Sequence, residues 1–124
     1  MSSNKTAGIA PALLETNFAW LGELYRGKVR DSYRRGKERV LIATDRLSAF
    51  DRIISSVPGK GQVLTGMAAY WFKRASGVID NHLVAIPDPA VMVVKEVRII
   101  PVEVVVRGYL AGSAWRDYEA GRLV

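Results

Sequence analysis

The residues with the most chemical potential stand in a few short stretches. In "RGKVRDSY", Arg26 to Tyr33, Gly27 lies between cations and is followed by Lys28 and Arg30. Glycine lets a backbone approach a ligand closely, and cations beside it suit phosphate oxygens. The stretch is not a Walker loop, because the Gly-x4-Gly-Lys-Ser/Thr spacing is absent. A solvated basic hairpin or a nucleic-acid patch accounts for the same residues, and by spacing alone the plain hairpin is the better reading. Arg26, Lys28, Arg30, Arg34, Arg35, Lys37, Arg39 and Arg46 make eight of the chain's 18 Lys and Arg, so this region is expected to meet an anion.

Three further stretches carry candidates. "TDRLSAFD" places Asp45, Ser48 and Asp51 after an apolar run. Carboxylates at a strand end bind a metal or a substrate amine, but Asp and Ser are also ordinary turn formers. "PGKG" sets Lys60 between two glycines, in a loop able to fold over a ligand or in a simple turn. In "VVVRGYLAGSAW", Arg107 ends a valine-rich run and Gly112-Ser113 opens a helix. A guanidinium fork and a helix N-terminus both favour carboxylate or phosphate, while Ser113 also suits a plain N-cap. His82, the single histidine, is expected to make a structural hydrogen bond. One histidine and no cysteine exclude a multi-His metal site, thiolate ligands, disulfides and a Cys nucleophile.

These residues need a framework. "LGELYRGK" and "VRDSYRRG" read as two strands with Gly27 near the turn, and "ERVLIATD" as a third with a buried run from Val40 to Ala43. Gly36-Lys37 suits the second hairpin turn, which gives an antiparallel meander. "DRLSAFDRIISSVPGKGQ" reads as a polar, glycine-containing connector. Leu64, Met67, Ala68, Trp71 and Ala75 recur at helical spacing, so "VLTGMAAYWFKRAS" is predicted to be an amphipathic helix with that stripe in the core, stopping at Gly77. "HLVAI", "AVMVVKEV" and "PVEVVVRGYL" predict three more strands. In the last, Val102, Val104 and Val106 would share a core face, and Glu103, Val105 and Arg107 the other. "GSAWRDYEAGRLV" predicts a closing helix. The order β-β-β-α-β-β-β-α is that of an α+β domain, mostly antiparallel sheet with helices on one face.

The 124 residues suffice for one domain with a core, residues 1–20 reading as a lead-in and 21–124 as the domain. Hydrophobic content of 49% and charged content of 24% exclude a disordered chain, and the net charge of +6 favours anionic partners. The N-terminal stretch lacks a signal-peptide core, and no run reaches the ~18 apolar residues of a membrane span. A cytoplasmic protein without a membrane partner is therefore expected. The rival class is a basic nucleic-acid-binding module. Against it, Tyr70, Trp71 and Phe72 lie in the apolar helix, not among the cations where stacking platforms would be.

Taken together, "GKVRDSY", "ATDRLSAFD", "PGKGQVLT", "YWF", "NHLV" and "PVEVVVRGYLAGSAW" occur in the same order as in SAICAR synthetase (phosphoribosylaminoimidazole-succinocarboxamide synthase), a resemblance that runs from Leu21 to the last residue. It implies the N-terminal, ATP-binding part of a kinase-like bilobal fold. It also implies an ATP-dependent ligase of purine biosynthesis, which joins the carboxylate of carboxyaminoimidazole ribonucleotide (CAIR) to the amine of L-aspartate. The products are SAICAR, ADP and phosphate. Magnesium (Mg2+) would neutralise the phosphate oxygens, nucleic acid would play no part, and a homo-oligomer is compatible with it.

Residue by residue, the resemblance implies that Gly27, Lys28 and Arg30 clamp the ATP phosphates, which reverses the preference for a plain hairpin. Glu103 would lie along the adenine pocket, and Arg107 and Ser113 would hold CAIR. Asp45, Ser48, Asp51 and Lys60 would lie near substrate and metal. No residue here is singled out as the catalytic group or as a certain metal ligand. Family members are longer, and their second half carries acidic residues associated with magnesium and part of the CAIR and aspartate sites. These 124 residues alone would then not make SAICAR, and they would bare apolar surface, including at Leu123 and Val124, that favours self-association. A paralogue that binds nucleotide without catalysis stays open.

Overall fold

The computed structural model describes residues 11–122. Residues 1–10 of the expected lead-in, and Leu123 and Val124, lie outside the described residues. The meander forms as the pattern predicts. Strands β1 (Glu23–Arg26), β2 (Arg30–Arg35) and β3 (Glu38–Ala43) pair antiparallel in sequence order, with Leu24 opposite Tyr33 and Tyr33 opposite Val40. Two later strands, named here β6 (Leu83–Asp88) and β7 (Val91–Lys95), make another hairpin, and β7 joins β3. The sheet order is β1-β2-β3-β7-β6, antiparallel throughout. Pro87, which has no amide to donate, falls on the edge strand β6, whose register is irregular.

Period-2 alternation decides which side chains enter the core. Tyr33, Val40 and Ile42 are buried on one face with Leu21, and Leu13, Leu24, Val91 and Val93 pack against them. Each fully buried aliphatic side chain there contributes about 1.5–3 kcal/mol relative to exposure. Residues 13–18, patternless in sequence, are tied to this sheet. Thr16 N donates to Asp31 Oδ2 at 2.7 Å, and Phe18 N donates to the Tyr33 hydroxyl at 3.0 Å.

Four expectations are corrected. The "connector" contains a two-stranded antiparallel sheet, β4 (Arg46–Ala49) and β5 (Arg52–Ser56). Its tip, Phe50-Asp51, has φ of 50° and 63°, a left-handed pair usually filled by Asn-Gly. Helix α1 (Lys60–Ala75) packs on β3 and β7 and begins before the predicted stretch. Its inward stripe is Gly61, Thr65, Ala68 and Phe72, while Leu64, Met67 and Trp71 of the expected core stripe are exposed. Small residues admit the helix to the sheet, and apolar residues on more than one side hide that choice from periodicity.

"PVEVVVRGYL" makes no strand, and every residue from 97 to 112 is exposed, Val106 at 91%. Val102 and Val104 thus line no core face. β-Branched composition supplies propensity, but a strand also needs a neighbour to pair with. Finally, α2 (Ser113–Glu119) starts with Ser113 inside the helix. Gly112 holds the N-cap position, and no side chain caps it. At His82 the hydrogen bond is the backbone's, its carbonyl accepting from Lys95 N at 2.8 Å, and the ring stands edge-on to Phe72. Among the described residues, no helix is long and apolar enough to cross a membrane.

Candidate functional site

The first group of candidates surrounds the turn between β1 and β2. The turn closes with Gly27 N donating to Arg30 O at 2.8 Å. A Cβ on Gly27 would stand 3.0 Å from Arg30 O, so glycine suits the tight return. Lys28 leaves the turn outward and pairs with Asp51 of the β4–β5 tip at 2.7 Å, both side chains well exposed. This hydrogen bond and the lysine's charge hold the Asp51 carboxyl below its usual value.

On the inner side lies a residue that the sequence motifs do not single out. Arg46, the first residue of β4, is buried and donates four ways. Nε reaches Lys28 O at 3.0 Å, Nη2 reaches Gly27 O at 2.8 Å and Asp31 Oδ1 at 2.9 Å, and Nη1 reaches Leu14 O. Asp31 has no exposed surface and also accepts from the Thr16 hydroxyl at 2.9 Å. Burial pushes the Asp31 carboxyl up, but the bonds from Arg46 and from the Thr16 amide and hydroxyl outweigh it, and the carboxyl stays below the ordinary aspartate range. Arg46 and Asp31 both stand inside the motifs "TDRLSAFD" and "RGKVRDSY". The available signal is an acid and an arginine flanking one apolar strand, so that antiparallel pairing can bring them together. Beside this network, Leu14, Glu15, Arg26, Gly27, Arg46 and Ile53 line a cleft of about 400 Å³, a size usual for small ligands.

The second part of "TDRLSAFD" divides by position. Asp45 is buried, accepting from Leu13 N at 2.9 Å through Oδ2 and from Gly61 N at 2.9 Å through Oδ1. Burial raises its carboxyl, whereas the Gly61, Leu13 and Gly59 amides and the charge of Lys60 lower it below the usual value. Asp45 therefore anchors the start of α1, which explains why the helix begins at Lys60. The Lys60 ammonium is itself buried without a hydrogen-bond partner among the described residues. Ser48 is half-buried in β4, opposite Ile53.

The remaining candidates form another group. Arg107 and Ser113 line one hollow of about 470 Å³ with Val105, Gly108, Tyr109, Leu110 and Ala114. Arg107 Nη1 donates to Ala111 O at 2.7 Å. Glu103 lies exposed on the extended segment before it. The expectation of magnesium finds no cage among the described residues, which hold no group of three His, Cys, Asp or Glu suited to a metal. Both Asp45 oxygens accept from backbone amides, while Asp51 is exposed with one oxygen on Lys28.

Fold and site define an antiparallel α+β domain with a braced, basic glycine turn at one end. The sequence model of SAICAR synthetase matches residues 23–123. The chain belongs to the SAICAR synthetase family. It is 48% identical over 113 residues to a phosphoribosylaminoimidazole-succinocarboxamide synthase of Legionella pneumophila, covering 88% of this chain and 36% of that protein. A SAICAR-synthase from Saccharomyces cerevisiae complexed with SAICAR superposes with a TM-score of 0.79 at 35% identity, over 87% of this chain and 44% of that one. A type-2 SAICAR synthetase in complex with ADP gives 0.68 at 26% identity, over 76% of this chain and 42% of that one. The chain thus spans less than half the length of these relatives.

Proposed function

We propose that this chain is the nucleotide-binding portion of an ATP-dependent ligase that joins CAIR and L-aspartate to give SAICAR, ADP and phosphate. In this reading the γ-phosphoryl group passes from ATP to the CAIR carboxylate. The aspartate amine then attacks the acyl phosphate, expelling phosphate and forming the amide. A carboxylate needs this activation because its oxygen is a poor leaving group. The observation that carries the reading is the Gly27–Lys28 turn, cationic outside and braced inside, within a chain of this family.

Gly27, Lys28 and Arg30 are assigned to the ATP phosphates, Glu103 to the adenine side, and Arg107 with Ser113 to CAIR. Asp45 anchors the start of α1, and Asp45, Ser48, Asp51 and Lys60 are assigned to the vicinity of the substrate. Magnesium enters with the nucleotide, whose phosphates supply ligands of their own, and no described residue is assigned to it. The setting is cytoplasmic.

Lys28→Ala tests the assignment. A charged hydrogen bond to phosphate is worth about 1.5–3 kcal/mol, so calorimetry should show ATP bound roughly 10- to 150-fold more weakly. CAIR affinity should stay unchanged. Unaltered ATP binding would remove the turn from the nucleotide site.

A further inference from the structure

We propose that Arg46 is the positioning residue of the Gly27–Val29 turn, aiming the Lys28 and Val29 backbone amides outward as paired donors to an anionic oxygen. The inference rests on the phosphate reading of this turn. In a trans peptide the carbonyl and the following N–H point in opposite directions, and the described chain has no cis peptide. Gly27 C=O shares a peptide with Lys28 N–H, and Lys28 C=O shares one with Val29 N–H. Both carbonyls accept from the same buried guanidinium, at 2.8 and 3.0 Å. Both N–H groups therefore face away from it.

Three observations agree. Neither amide donates a hydrogen bond among the described residues. The next carbonyl, Val29 O, is also drawn inward, accepting from Thr44 N at 3.1 Å and Thr44 Oγ1 at 2.8 Å. On the outer side an anion already stands, the Asp51 carboxylate on Lys28 Nζ. Successive outward amides form a concavity that attracts anions. Arginine is required because its planar fork serves two turn carbonyls, Leu14 O and Asp31 together, which a lysine ammonium cannot span.

The test uses the purified protein with ATP and adenosine as probes. In the wild type, amide nitrogen–proton NMR spectra should show Lys28 and Val29 shifting on ATP and staying still on adenosine. Arg46→Lys should bind ATP about tenfold more weakly, lose those amide shifts although Lys28 is intact, and hold adenosine within about twofold. Silent amides in the wild type, ATP affinity retained in Arg46→Lys, or equal losses for ATP and adenosine would each overturn the inference. The wild-type titration decides it even where the variant does not fold. Lys28→Ala separates the two readings. If it weakens ATP while the wild-type amides stay silent, the phosphate assignment stands and the role of Arg46 falls. If it leaves ATP binding unchanged, the assignment itself fails.

Discussion

Two arginines divide the molecule. Arg46 is buried, with Asp31 and three backbone carbonyls as acceptors, and its neighbours are strands held in register. Arg107 is exposed, with one carbonyl four residues away as its acceptor, and the segment before it pairs with no strand. Both follow an apolar, β-branched run, and residue types alone favour Arg107 as the more pointed site. The difference lies in long-range partners. Asp31 of β2 reaches from the five-stranded sheet to fix Arg46 at the start of β4, and no described acid does this for Arg107. A site residue is made rigid by contacts distant in sequence, which local composition does not display.

The comparison breaks first at Asp31. Removing one partner of a buried ion pair strands the other charge, at a cost of about 3–5 kcal/mol. Asp31→Ala should lower stability by that amount in urea unfolding followed by circular dichroism, while Arg107→Ala should stay within about 0.5 kcal/mol. Similar losses for the two would erase the distinction. Acid sharpens it. The Asp31 carboxyl is held below its ordinary value in the folded chain. Its contribution is complete above the unfolded value of about 3.9 and is lost as pH falls through the lower, folded value. The stability gap between wild type and Asp31→Asn, open at pH 7, should therefore close as pH falls below about 4. A gap independent of pH would mean that the carboxylate's charge contributes nothing.

Two glycines of α1 make the next test, with opposite signs. A Cβ on Gly61 would collide with Ala43 O of β3, whereas one on Gly66 meets nothing. Gly61→Ala should destabilise by roughly 1–3 kcal/mol, the range for overpacking, and shift the start of α1 away from Asp45. Gly66→Ala should stabilise by about 0.5–1 kcal/mol, because alanine restricts the unfolded chain and favours the helix. Thermal unfolding of the pair would show it, and shifts of the same sign would mean that α1 does not lie against β3 in this way.

These effects mark what the sequence could show. The meander was legible because glycines mark its two turns and Val40 to Ala43 form a continuous apolar run, and α1 because its apolar residues recur at helical spacing. The β4–β5 hairpin was hidden because Phe50-Asp51 adopts a left-handed turn without the usual Asn-Gly. The face of α1 was misread because Gly61 and Thr65, not the larger Leu64 and Met67, sit against the sheet. At the turn, the types of Gly27 and Lys28 by themselves favour a plain basic hairpin, and the phosphate reading comes from the resemblance. Arg46 was not legible, because its role depends on carbonyls, which every residue carries and no sequence pattern marks.

The smallest expected effect concerns the valines that propensity would place in a strand. Val104 and Val106 are exposed at 81% and 91%, in a segment with no ladder partner among the described residues. Threonine keeps the β-branch and nearly the volume but replaces a methyl group with a hydroxyl, which is costly only where the site is dry. Val104→Thr and Val106→Thr should each change stability by less than about 0.5 kcal/mol in the 124-residue chain. Val40→Thr, in the core of β3 at 5% exposure, is the internal control and should cost about 1–3 kcal/mol, the penalty for an unsatisfied buried hydroxyl. Urea unfolding of the three variants gives the contrast directly. If Val104→Thr or Val106→Thr cost as much as Val40→Thr, the segment would be packed in solution, and the exposed half of the comparison would collapse into the buried one.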